Sequence, residues 1–323
     1  MNKLKINFIL TYDCNKKCSF CFSSKHSGQE MGYSDFVYHL DKIESLFGKN
    51  INVGLLGGEP LLNKDLIKIV LELQRRNICH TIFTNLLALN DEICKVIYKS
   101  IKREMINIGW NSTEDSVLSD NSLANLKHLT KIDRHAFFQS ITILHDRDLI
   151  GYSHIIHNSK EYGIYRARVA LDVHNHKEFM HNGKAYVIYK YLLDNGIRLS
   201  CDPCGYLLAC SLTKLQYEEL NNRLYSFRYG CGIGETIPVD ILPDGTAIPC
   251  MPFANFVDHS VNIHNFFSVK TLIDHASDCY KLDLLNIKDR KRCEKCNECG
   301  LLNCCAGPCP ALTTNKIINR EMF

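Results

Sequence analysis

The chain has 323 residues, of which 46% are apolar, enough for one large domain with a smaller one or for two ordinary domains. Its formal net charge is only +3, with nearly equal numbers of acids and bases, so composition indicates neither a nucleic-acid-binding protein nor one that binds an anionic membrane surface. Its apolar runs fall short of the roughly 18 residues that span a bilayer, and the short apolar run near the start lacks a cleavage site. We therefore expect a cytoplasmic protein that binds no nucleic acid and no membrane.

Strand and helix patterns alternate over residues 1–200. Short apolar runs predict strands, and the stretches between them have helical periodicity, as in SDFVYHLDKIESLF, where Ser34 is a candidate N-cap. The six predicted strands span residues 5–11, 51–56, 80–84, 105–109, 136–144 and 166–173. This alternation indicates an α/β fold with a parallel sheet, either doubly wound or a partial barrel. In both, functional residues gather at the carboxyl ends of the strands.

The pattern changes near residue 201, where cysteines become dense and helical periods become few. The segment VDILPDGTAIPC predicts a hairpin with Pro-Asp-Gly at its turn. The chain has 17 cysteines, and clustered cysteines in a reducing compartment more often bind metal than form disulfides. Three isolated cysteines, Cys79, Cys94 and Cys279, are expected to be small buried hydrophobic residues.

The segment TYDCNKKCSFCF directly follows the first predicted strand and carries Cys14, Cys18 and Cys21. A closed structural zinc site takes four ligands, and a [4Fe–4S] cube has four metal corners. Three thiolates from one loop therefore leave one corner open unless a distant residue fills it, and an open iron can hold a chelating substrate. Zinc and a plain ferredoxin-type cluster are the alternatives. GGEP follows the second strand and Asn85 the third, so all three features share one edge of the sheet.

These motifs resemble the radical S-adenosylmethionine (radical SAM) family, through the CxxxCxΦC pattern with Phe20 at its aromatic position and GGEP one β/α unit later. The resemblance implies a partial (β/α)6 TIM-like barrel. It also implies a [4Fe–4S] cluster on Cys14, Cys18 and Cys21 whose open iron binds S-adenosylmethionine. Reductive cleavage of that cosubstrate releases a 5′-deoxyadenosyl radical, which abstracts hydrogen from an unactivated carbon. A flavodoxin- or ferredoxin-type electron donor is implied as well.

The resemblance also implies a set of residues that contact S-adenosylmethionine. They are Phe20, Gly57, Gly58, Glu59, Pro60, Asn85 and Asn111. The glycines let backbone approach a ligand, the glutamate is expected to accept a hydrogen bond from the cosubstrate ammonium, and the proline stiffens the turn. Many relatives have a Ser-x-Asp-Gly-type segment after the fourth strand. This chain lacks that serine and places Trp110, in the core or in the substrate cavity, just before Asn111.

The second half resembles the SPASM domain, an auxiliary-cluster extension of radical SAM enzymes that often modify peptides. Six of the seven cysteines of its spacing pattern are present, and the last is absent. The implied domains are a barrel over 1–200, a bridging segment over 201–230 and a SPASM-like domain over 231–323. The implied ligands are Cys210, Cys231, Cys250 and Cys309 for auxiliary cluster I, and Cys293, Cys296, Cys299 and Cys305 for auxiliary cluster II.

Several ligand assignments in this half stay open. Cys204 is an alternative to Cys210. The alternatives to Cys293 are Cys304 and a site that is open to substrate. A zinc site built from Cys293, Cys296, Cys299 and Cys304 is the rival to the second cluster, which leaves one auxiliary cluster instead of two. Sulfatase-maturing relatives place a catalytic aspartate where this chain has Met251, so the resemblance does not extend to formylglycine formation.

Cys201 and Cys204 are candidate hydrogen-atom donors, and a buried structural role is the alternative. Three histidines after the sixth strand are candidate general bases or solvated loop residues, namely His174, His176 and His181.

These observations predict a radical SAM enzyme that acts on a ribosomally made peptide, by a thioether or carbon–carbon cross-link or by epimerisation. Because the first strand begins within the first dozen residues, we expect no separate peptide-recognition domain before the barrel. A small-molecule metabolite is the alternative substrate. A non-catalytic iron–sulfur electron carrier and a zinc-stapled binding module are the alternatives of another class.

Overall fold

The computed structural model describes residues 4–21, 28–113, 117–172, 174–179, 182–201, 211–226, 239–248, 261–268 and 271. The strands are β1 (Leu4–Ile9), β2 (Ile51–Leu56), β3 (Cys79–Thr84), β4 (Ile106–Trp110), β5 (Phe137–Ile143), β6 (Arg166–Leu171), β7 (Arg198–Cys201), β8 (Val239–Ile241), β9 (Thr246–Ile248) and β10 (Val261–Asn262). The helices are α1 (Tyr33–Phe47), α2 (Leu66–Arg76), α3 (Asp91–Lys102), α4 (Asp120–Asp133), α5 (Ser153–Tyr162), α6 (Lys184–Asp194) and α7 (Lys214–Arg223). Among these residues, a helix with the length and apolar character needed to cross a membrane is not found.

The strands form one sheet in the order β10-β9-β8-β1-β2-β3-β4-β5-β6-β7. Strands β1 to β7 run parallel in chain order, each joined to the next through a helix. The predicted α/β fold with a mostly parallel sheet is confirmed. The seventh strand was not predicted, because its sequence, RLSC, is short and polar at alternate positions.

The hairpin of β8 and β9 extends this sheet. Its strands pair antiparallel, as VDILPDGTAIPC predicted, and the Leu242 N–H donates to the Thr246 carbonyl across the turn. Strand β8 pairs parallel with β1, so a segment from the predicted second domain continues the sheet of the first. His39 on α1 contacts the residues after the hairpin through a 2.9 Å Nδ1 to Nε2 distance to His264.

The predicted N-cap of the first helix is wrong. Helix α1 begins at Tyr33, so Ser34 lies inside its first turn, and Gly32 occupies the N-cap position without a side-chain hydrogen bond. The Tyr33 N–H instead donates to Asp65 Oδ2 at 3.0 Å. The Asp65 carboxylate, from the segment before α2, therefore accepts a hydrogen bond from an N–H group at the start of α1, the role that an N-cap side chain would otherwise have.

The two faces of the sheet differ in character, because successive side chains of a strand point to opposite faces. Residues such as Ile6, Val53 and Ile108 are fully buried in the core cluster under the helices. The alternate residues form the other face, where the guanidinium carbon of Arg168 on β6 lies 5.4 Å from the ring centroid of Phe83 on β3. In a flat sheet, strands three positions apart lie about 14 Å apart. The contact between β6 and β3 therefore indicates that the sheet curves and that this face is concave.

Candidate active site

The cysteine loop leaves β1 at the carboxyl edge of the sheet. Among the described residues none of its three cysteines is in a disulfide, and Cys14 is exposed while both Cys18 and Cys21 are half-buried. The Cys21 N–H donates to the Cys18 carbonyl at 3.2 Å, a turn that brings these two cysteines together and holds half-buried Phe20 between them. The motif spacing is thus realised as a short, accessible loop.

The donor chemistry of this loop fits an iron–sulfur cluster with three protein ligands. Partial burial raises the pKa of the Cys14 thiol, and the negative charges of Glu59 and Cys21 add to the effect, while the Lys16 N–H and ammonium oppose it. Within the described residues, no three His, Cys, Asp or Glu side chains are arranged to hold a metal ion.

The two glycines of GGEP bring its loop into backbone contact with the cysteine loop. Gly57 has φ +145°, which favours glycine, and a Cβ there would lie 2.2 Å from the Thr11 carbonyl oxygen. A Cβ on Gly58 would lie 2.2 Å from the Asp13 carbonyl oxygen. The Gly58 N–H donates to the Thr11 carbonyl at 2.7 Å, and the Glu59 N–H donates to the Asp13 carbonyl at 2.8 Å. The structure therefore gives these glycines a role within the protein, in addition to the predicted approach of a ligand.

Glu59 is the buried carboxyl group of this edge, with 1% of its surface exposed. Its Oε1 accepts from the Leu61 N–H at 3.0 Å and from Thr84 Oγ1 at 2.6 Å, and its Oε2 accepts from the Asn85 N–H at 2.7 Å. Burial raises the pKa of Glu59, and these three hydrogen bonds oppose the rise. Among the described residues, its partners are neutral donors, and a carboxylate has room for about four hydrogen bonds.

Pro60 and Asn85 complete the contacts around the glutamate. Pro60 is buried and opens the short 3-10 helix Pro60–Leu62, for which Glu59 is the N-cap. Asn85 donates from Nδ2 to Asn15 Oδ1 at 2.7 Å, inside the cysteine loop, and accepts from the Leu87 N–H at 2.9 Å. The carboxyl ends of β1, β2 and β3 are therefore joined by direct hydrogen bonds, as the shared edge predicted.

The segment after β4 is the fourth side of the site. Asn111 is exposed, and its N–H donates to the Thr84 carbonyl at 2.8 Å. The Lys16 ammonium reaches from the cysteine loop to the Thr113 hydroxyl. Trp110 is 3% exposed, lies in the core cluster and packs edge-on against Tyr162 at 5.7 Å between ring centroids. Of the two alternatives for Trp110, the structure supports the core position.

One candidate hydrogen donor ends β7 on the helix-covered face of the sheet, and the other lies outside the described residues. Cys201 is 3% exposed in the core cluster under α6, with its Sγ 3.5 Å from Tyr189 Oη. This position is on the helix-covered face and favours the structural alternative. Cys204 and all eight predicted auxiliary ligands lie outside the described residues, so those assignments stay predictions.

The remaining candidates are the histidines and the isolated cysteines. His174 is exposed, as a solvated loop residue would be, and the side chains of His176 and His181 lie outside the described residues. Cys94 is buried, as predicted, whereas Cys79 is only half-buried. Cys279 also lies outside the described part of the chain.

Two residues of the site were missed by sequence reasoning. Thr84 donates to Glu59, and Asn63 donates from Nδ2 to the Leu10 carbonyl at 2.9 Å and to the Met31 carbonyl at 3.0 Å. The one available signal was position, because Thr84 precedes Asn85 at the end of β3 and Asn63 follows GGEP closely. Their partners are 25 or more residues away in sequence, so no local pattern identified the contacts.

Comparison with known proteins supports the motif assignment. Residues 8–158 match the sequence model of the family described as Radical SAM superfamily. The chain is 22% identical over 351 residues to the radical SAM cyclopropyl synthase TigE of Paramaledivibacter caminithermalis, an alignment that covers 97% of this chain and 69% of that protein.

Two solved structures share the fold. The crystal structure of Streptococcus suis SuiB bound to its precursor peptide SuiA aligns with a TM-score of 0.66 at 19% identity, covering 95% of this chain and 72% of that one. The structure of native anSMEcpe with bound AdoMet and the Cp18Cys peptide aligns with a TM-score of 0.60 at 17% identity, covering 95% of this chain and 88% of that one. The cysteine loop, the GGEP contacts and the family match lead to one conclusion: residues 8–158 are similar to the radical SAM superfamily, and the protein is an enzyme.

Proposed function

We propose that this enzyme cleaves S-adenosylmethionine reductively at a [4Fe–4S] cluster held by Cys14, Cys18 and Cys21, and that it modifies a ribosomally made peptide. One observation carries the proposal: a loop with three cysteines is held in backbone contact with Gly57 and Gly58 at the carboxyl edge of a parallel sheet. The cluster and cosubstrate, when bound, supply a 5′-deoxyadenosyl radical. The protein binds, orients and shields the reacting groups.

Glu59 is suited to accept the ammonium of the cosubstrate. It is a buried carboxylate whose described partners are the neutral donors of Leu61, Thr84 and Asn85. A charge left without a counter-ion in a protein interior is costly, and a ligand cation that donates to it gains a charge-assisted hydrogen bond. The cost of burying this carboxylate is then offset when the cosubstrate binds.

The other proposed cosubstrate contacts surround this carboxylate. They are Phe20, Gly57, Gly58, Pro60, Asn85 and Asn111, all on the loops that leave the first four strands. Asn111 is exposed at the edge and can donate and accept hydrogen bonds. The side chain of Asn85 already donates a hydrogen bond to Asn15. Asn111 is therefore the better placed of the two asparagines to reach a ligand.

The substrate we propose is a peptide, changed by a thioether or carbon–carbon cross-link or by epimerisation. Support comes from the relatives, since SuiB was solved with its precursor peptide and anSMEcpe with a peptide, while TigE is described as a cyclopropyl synthase. Met251, in place of an aspartate, argues against formylglycine formation.

The cysteine-rich part of the chain is proposed to hold two auxiliary [4Fe–4S] clusters in a SPASM-like domain over residues 231–323. Cluster I would use Cys210, Cys231, Cys250 and Cys309, and cluster II would use Cys293, Cys296, Cys299 and Cys305. The support is the cysteine spacing alone. We further propose a cytoplasmic location and an electron donor of the flavodoxin or ferredoxin type.

The experiment that tests the function combines anaerobic reconstitution with mass spectrometry. The reduced protein is incubated with S-adenosylmethionine and with the candidate peptide encoded nearest its gene. Formation of 5′-deoxyadenosine with a loss of two hydrogens from the peptide indicates a cross-link. Unchanged mass with deuterium uptake from labelled water indicates epimerisation. No 5′-deoxyadenosine under any condition would instead favour the electron carrier.

Iron content tests the auxiliary domain separately. About 12 irons per chain would support three cubes, about 8 would support two, and about 4 would refute the auxiliary clusters, since each cube contains four irons. Zinc in place of the missing iron would support the rival site at Cys293, Cys296, Cys299 and Cys304. Turnover of a small metabolite with an unchanged peptide would support the small-molecule alternative.

A further inference from the structure

Two histidines join helix α1 to the segment that follows the β8–β9 hairpin. The Nδ1 atom of His39 on α1 lies 2.9 Å from the Nε2 atom of His264, in the 3-10 helix Ile263–Asn265. The His264 ring is stacked on Tyr38, with 4.0 Å between the centroids and 13° between the planes. His39 is buried and His264 is half-buried. We call His39 and His264 the histidine pair.

The turn of the hairpin packs directly on the histidine pair. Gly245 in this turn has φ +81°, which favours glycine, and a Cβ there would lie 2.6 Å from the Cε1 atom of His39. The Ile263 N–H donates to the Gly245 carbonyl at 3.2 Å, so the turn also binds the segment that carries His264. Helix α1, the hairpin turn and the 3-10 helix therefore meet at the His39 ring.

The contact between the two ring nitrogens depends on how many protons the pair carries. A hydrogen bond between them needs one nitrogen with a proton and one without. A neutral imidazole has one N–H group and one acceptor nitrogen, whereas an imidazolium has two N–H groups. A pair that is neutral, or that carries one extra proton, can therefore make this bond. Two extra protons would place two N–H groups and two positive charges against each other.

The surroundings of His39 disfavour its charged form. Burial lowers the pKa of His39 most, and a positive charge on His264 lowers it further. Asp35 on α1, the Pro243 carbonyl and Asp244 in the hairpin turn oppose this lowering. The net effect is a pKa below the ordinary value of 6.5, so the joined pair favours a neutral His39.

The surroundings of His264 act in the same direction. Burial lowers the pKa of His264, and the Lys42 ammonium on α1 adds to the effect. Lys42 lies one helical turn after Tyr38, with its Nζ 5.4 Å from the ring centroid of Phe267. Because both pKa values are lowered in the joined pair, separated histidines bind protons more readily. The joined form is therefore stable above the ordinary value of 6.5 and loses stability as the pH falls below it.

The hairpin turn lies beside the start of the cysteine loop. Strand β8 runs parallel to β1 and pairs with it, so the turn after β8 is at the carboxyl edge of the sheet. Burial raises the pKa of Tyr12 to about 12, and the negative charge of Asp244 in the turn adds to the rise. Tyr12 precedes Cys14 by two residues. The histidine pair therefore holds the turn next to the loop that carries the three cysteines.

We infer that the histidine pair is a pH-sensitive clamp, which holds the β8–β9 hairpin against α1 near neutral pH and releases it when both histidines are protonated. Release frees the turn beside Tyr12, so the surroundings of the cysteine loop change with pH. The clamp is built from α1, the hairpin and the 3-10 helix, and it acts whatever the substrate of the enzyme is.

The first test measures amide hydrogen–deuterium exchange of the reconstituted enzyme between pH 7.5 and 5.5 by mass spectrometry. Rates are corrected for the pH dependence of the chemical exchange step. Protection of residues 239–248 and 261–265, relative to β5, should fall below about pH 6.5. The fall can reach about tenfold per pH unit for each proton taken up on release. A protection ratio that stays constant over this range would overturn the inference.

The second test replaces both histidines with amides that do not titrate. His39→Asn places an amide where Nδ1 lies, and His264→Gln places one where Nε2 lies. The double variant should make the protection ratio independent of pH. His128→Gln is the matched control, because His128 is stacked on Tyr98 as His264 is on Tyr38, and it should behave as the wild type does. Circular dichroism at each pH checks folding, and an unchanged pH dependence in the folded double variant would contradict the clamp.

A third measurement needs no variant. Exchange of the ring C2 hydrogen, followed by peptide mass spectrometry, gives the titration midpoint of each histidine in the wild type. His39 and His264 should titrate below His128 and in the pH range where the hairpin loses protection. Midpoints at or above that of His128 would overturn the inference. None of these experiments uses S-adenosylmethionine or peptide, so their failure is separate from a failure of the proposed function.

Discussion

Two buried glutamates show how the active-site edge differs from the helical layer outside the sheet. Glu59 at the edge is held by two backbone N–H groups and one hydroxyl, and burial raises its pKa. Glu72 on α2 is held by two arginines, and hydrogen bonds from Arg75 first, then Arg76, lower its pKa to about 2 against the effect of burial. The described partners of Glu59 are thus neutral donors, whereas Glu72 is paired with two cations.

The two glutamates therefore differ in the partners that the fold gives them. The Glu72 pair continues to α1, since Arg76 also contacts Asp41 at 2.5 Å and Glu44, so this network joins two helices as scaffold. The carboxylate at the edge accepts hydrogen bonds from Leu61, Thr84 and Asn85 and has no described cation. This arrangement suits the cationic ligand that we propose.

The strongest test of the edge removes its thiols. Cys14→Ala, Cys18→Ala and Cys21→Ala should each abolish 5′-deoxyadenosine formation, because three ligands are the fewest that hold a cube with one open iron. Chromatography of the reduced reaction mixture measures the product. Cys94→Ala, in the core of α3, is the matched control and should retain it. Persistent 5′-deoxyadenosine in the three loop variants would refute the cluster assignment.

The next test separates the two loops that the glycines bring together. Gly58→Ala puts a Cβ 2.2 Å from the Asp13 carbonyl and should cost about 3 kcal/mol of stability, as overpacking against backbone does. It should also reduce the iron bound per chain. Gly32→Ala is the control, because its nearest contact is a side-chain oxygen at 3.3 Å. Urea unfolding and iron analysis measure both effects, and equal behaviour of the two variants would contradict the close approach.

A third test removes the charge at Glu59 and keeps its size. Glu59→Gln should weaken S-adenosylmethionine binding by at least about tenfold, since a hydrogen bond to a charged group is worth about 1.5–3 kcal/mol. Equilibrium dialysis of labelled cosubstrate gives the affinity. Glu72→Gln is the matched control and should leave it unchanged. Unchanged affinity in a folded Glu59→Gln protein would mean that Glu59 only braces the loop.

A fourth test measures how the stability contributed by Glu72 depends on pH. The pKa of Glu72 is lowered from its ordinary value of 4.5 to about 2, so its stabilisation is present above 4.5 and is lost as the pH falls toward 2. Glu72→Gln should therefore cost about 1 kcal/mol at pH 7, and the cost should shrink as the pH approaches 3. Urea unfolding of variant and wild type at pH 7, 4.5 and 3 measures this. A cost independent of pH would show that packing, not charge, explains the loss.

The smallest expected effect concerns the thiol of Cys201, on the helix-covered face of the sheet. Cys201→Ala should lower stability by about 1 kcal/mol, the cost of a small buried cavity, and should leave the modified peptide product in place. Thermal unfolding and peptide mass measure the two outcomes. Normal 5′-deoxyadenosine with loss of modified peptide would restore Cys201 as a hydrogen donor, against its position in the core.

Local patterns in the sequence identified the parts of the site but not their assembly. The strand–helix alternation predicted the parallel sheet, and the spacing of Cys14, Cys18 and Cys21 predicted the loop of three cysteines. The cap at Ser34 failed because Asp65, distant in sequence, supplies the acceptor at that helix start. Strand β7 was not predicted, because four residues with alternating polarity are too few to show a clear strand periodicity.

Residue types and short spacings were enough to predict the three-cysteine loop and the order of strands and helices. The folded structure was needed to show that Gly57 and Gly58 pack on the cysteine-loop backbone, that the described partners of Glu59 are neutral and that Arg168 reaches Phe83. These contacts join residues 25 or more positions apart. They form only when parallel strands bring their ends to one edge and the sheet curves.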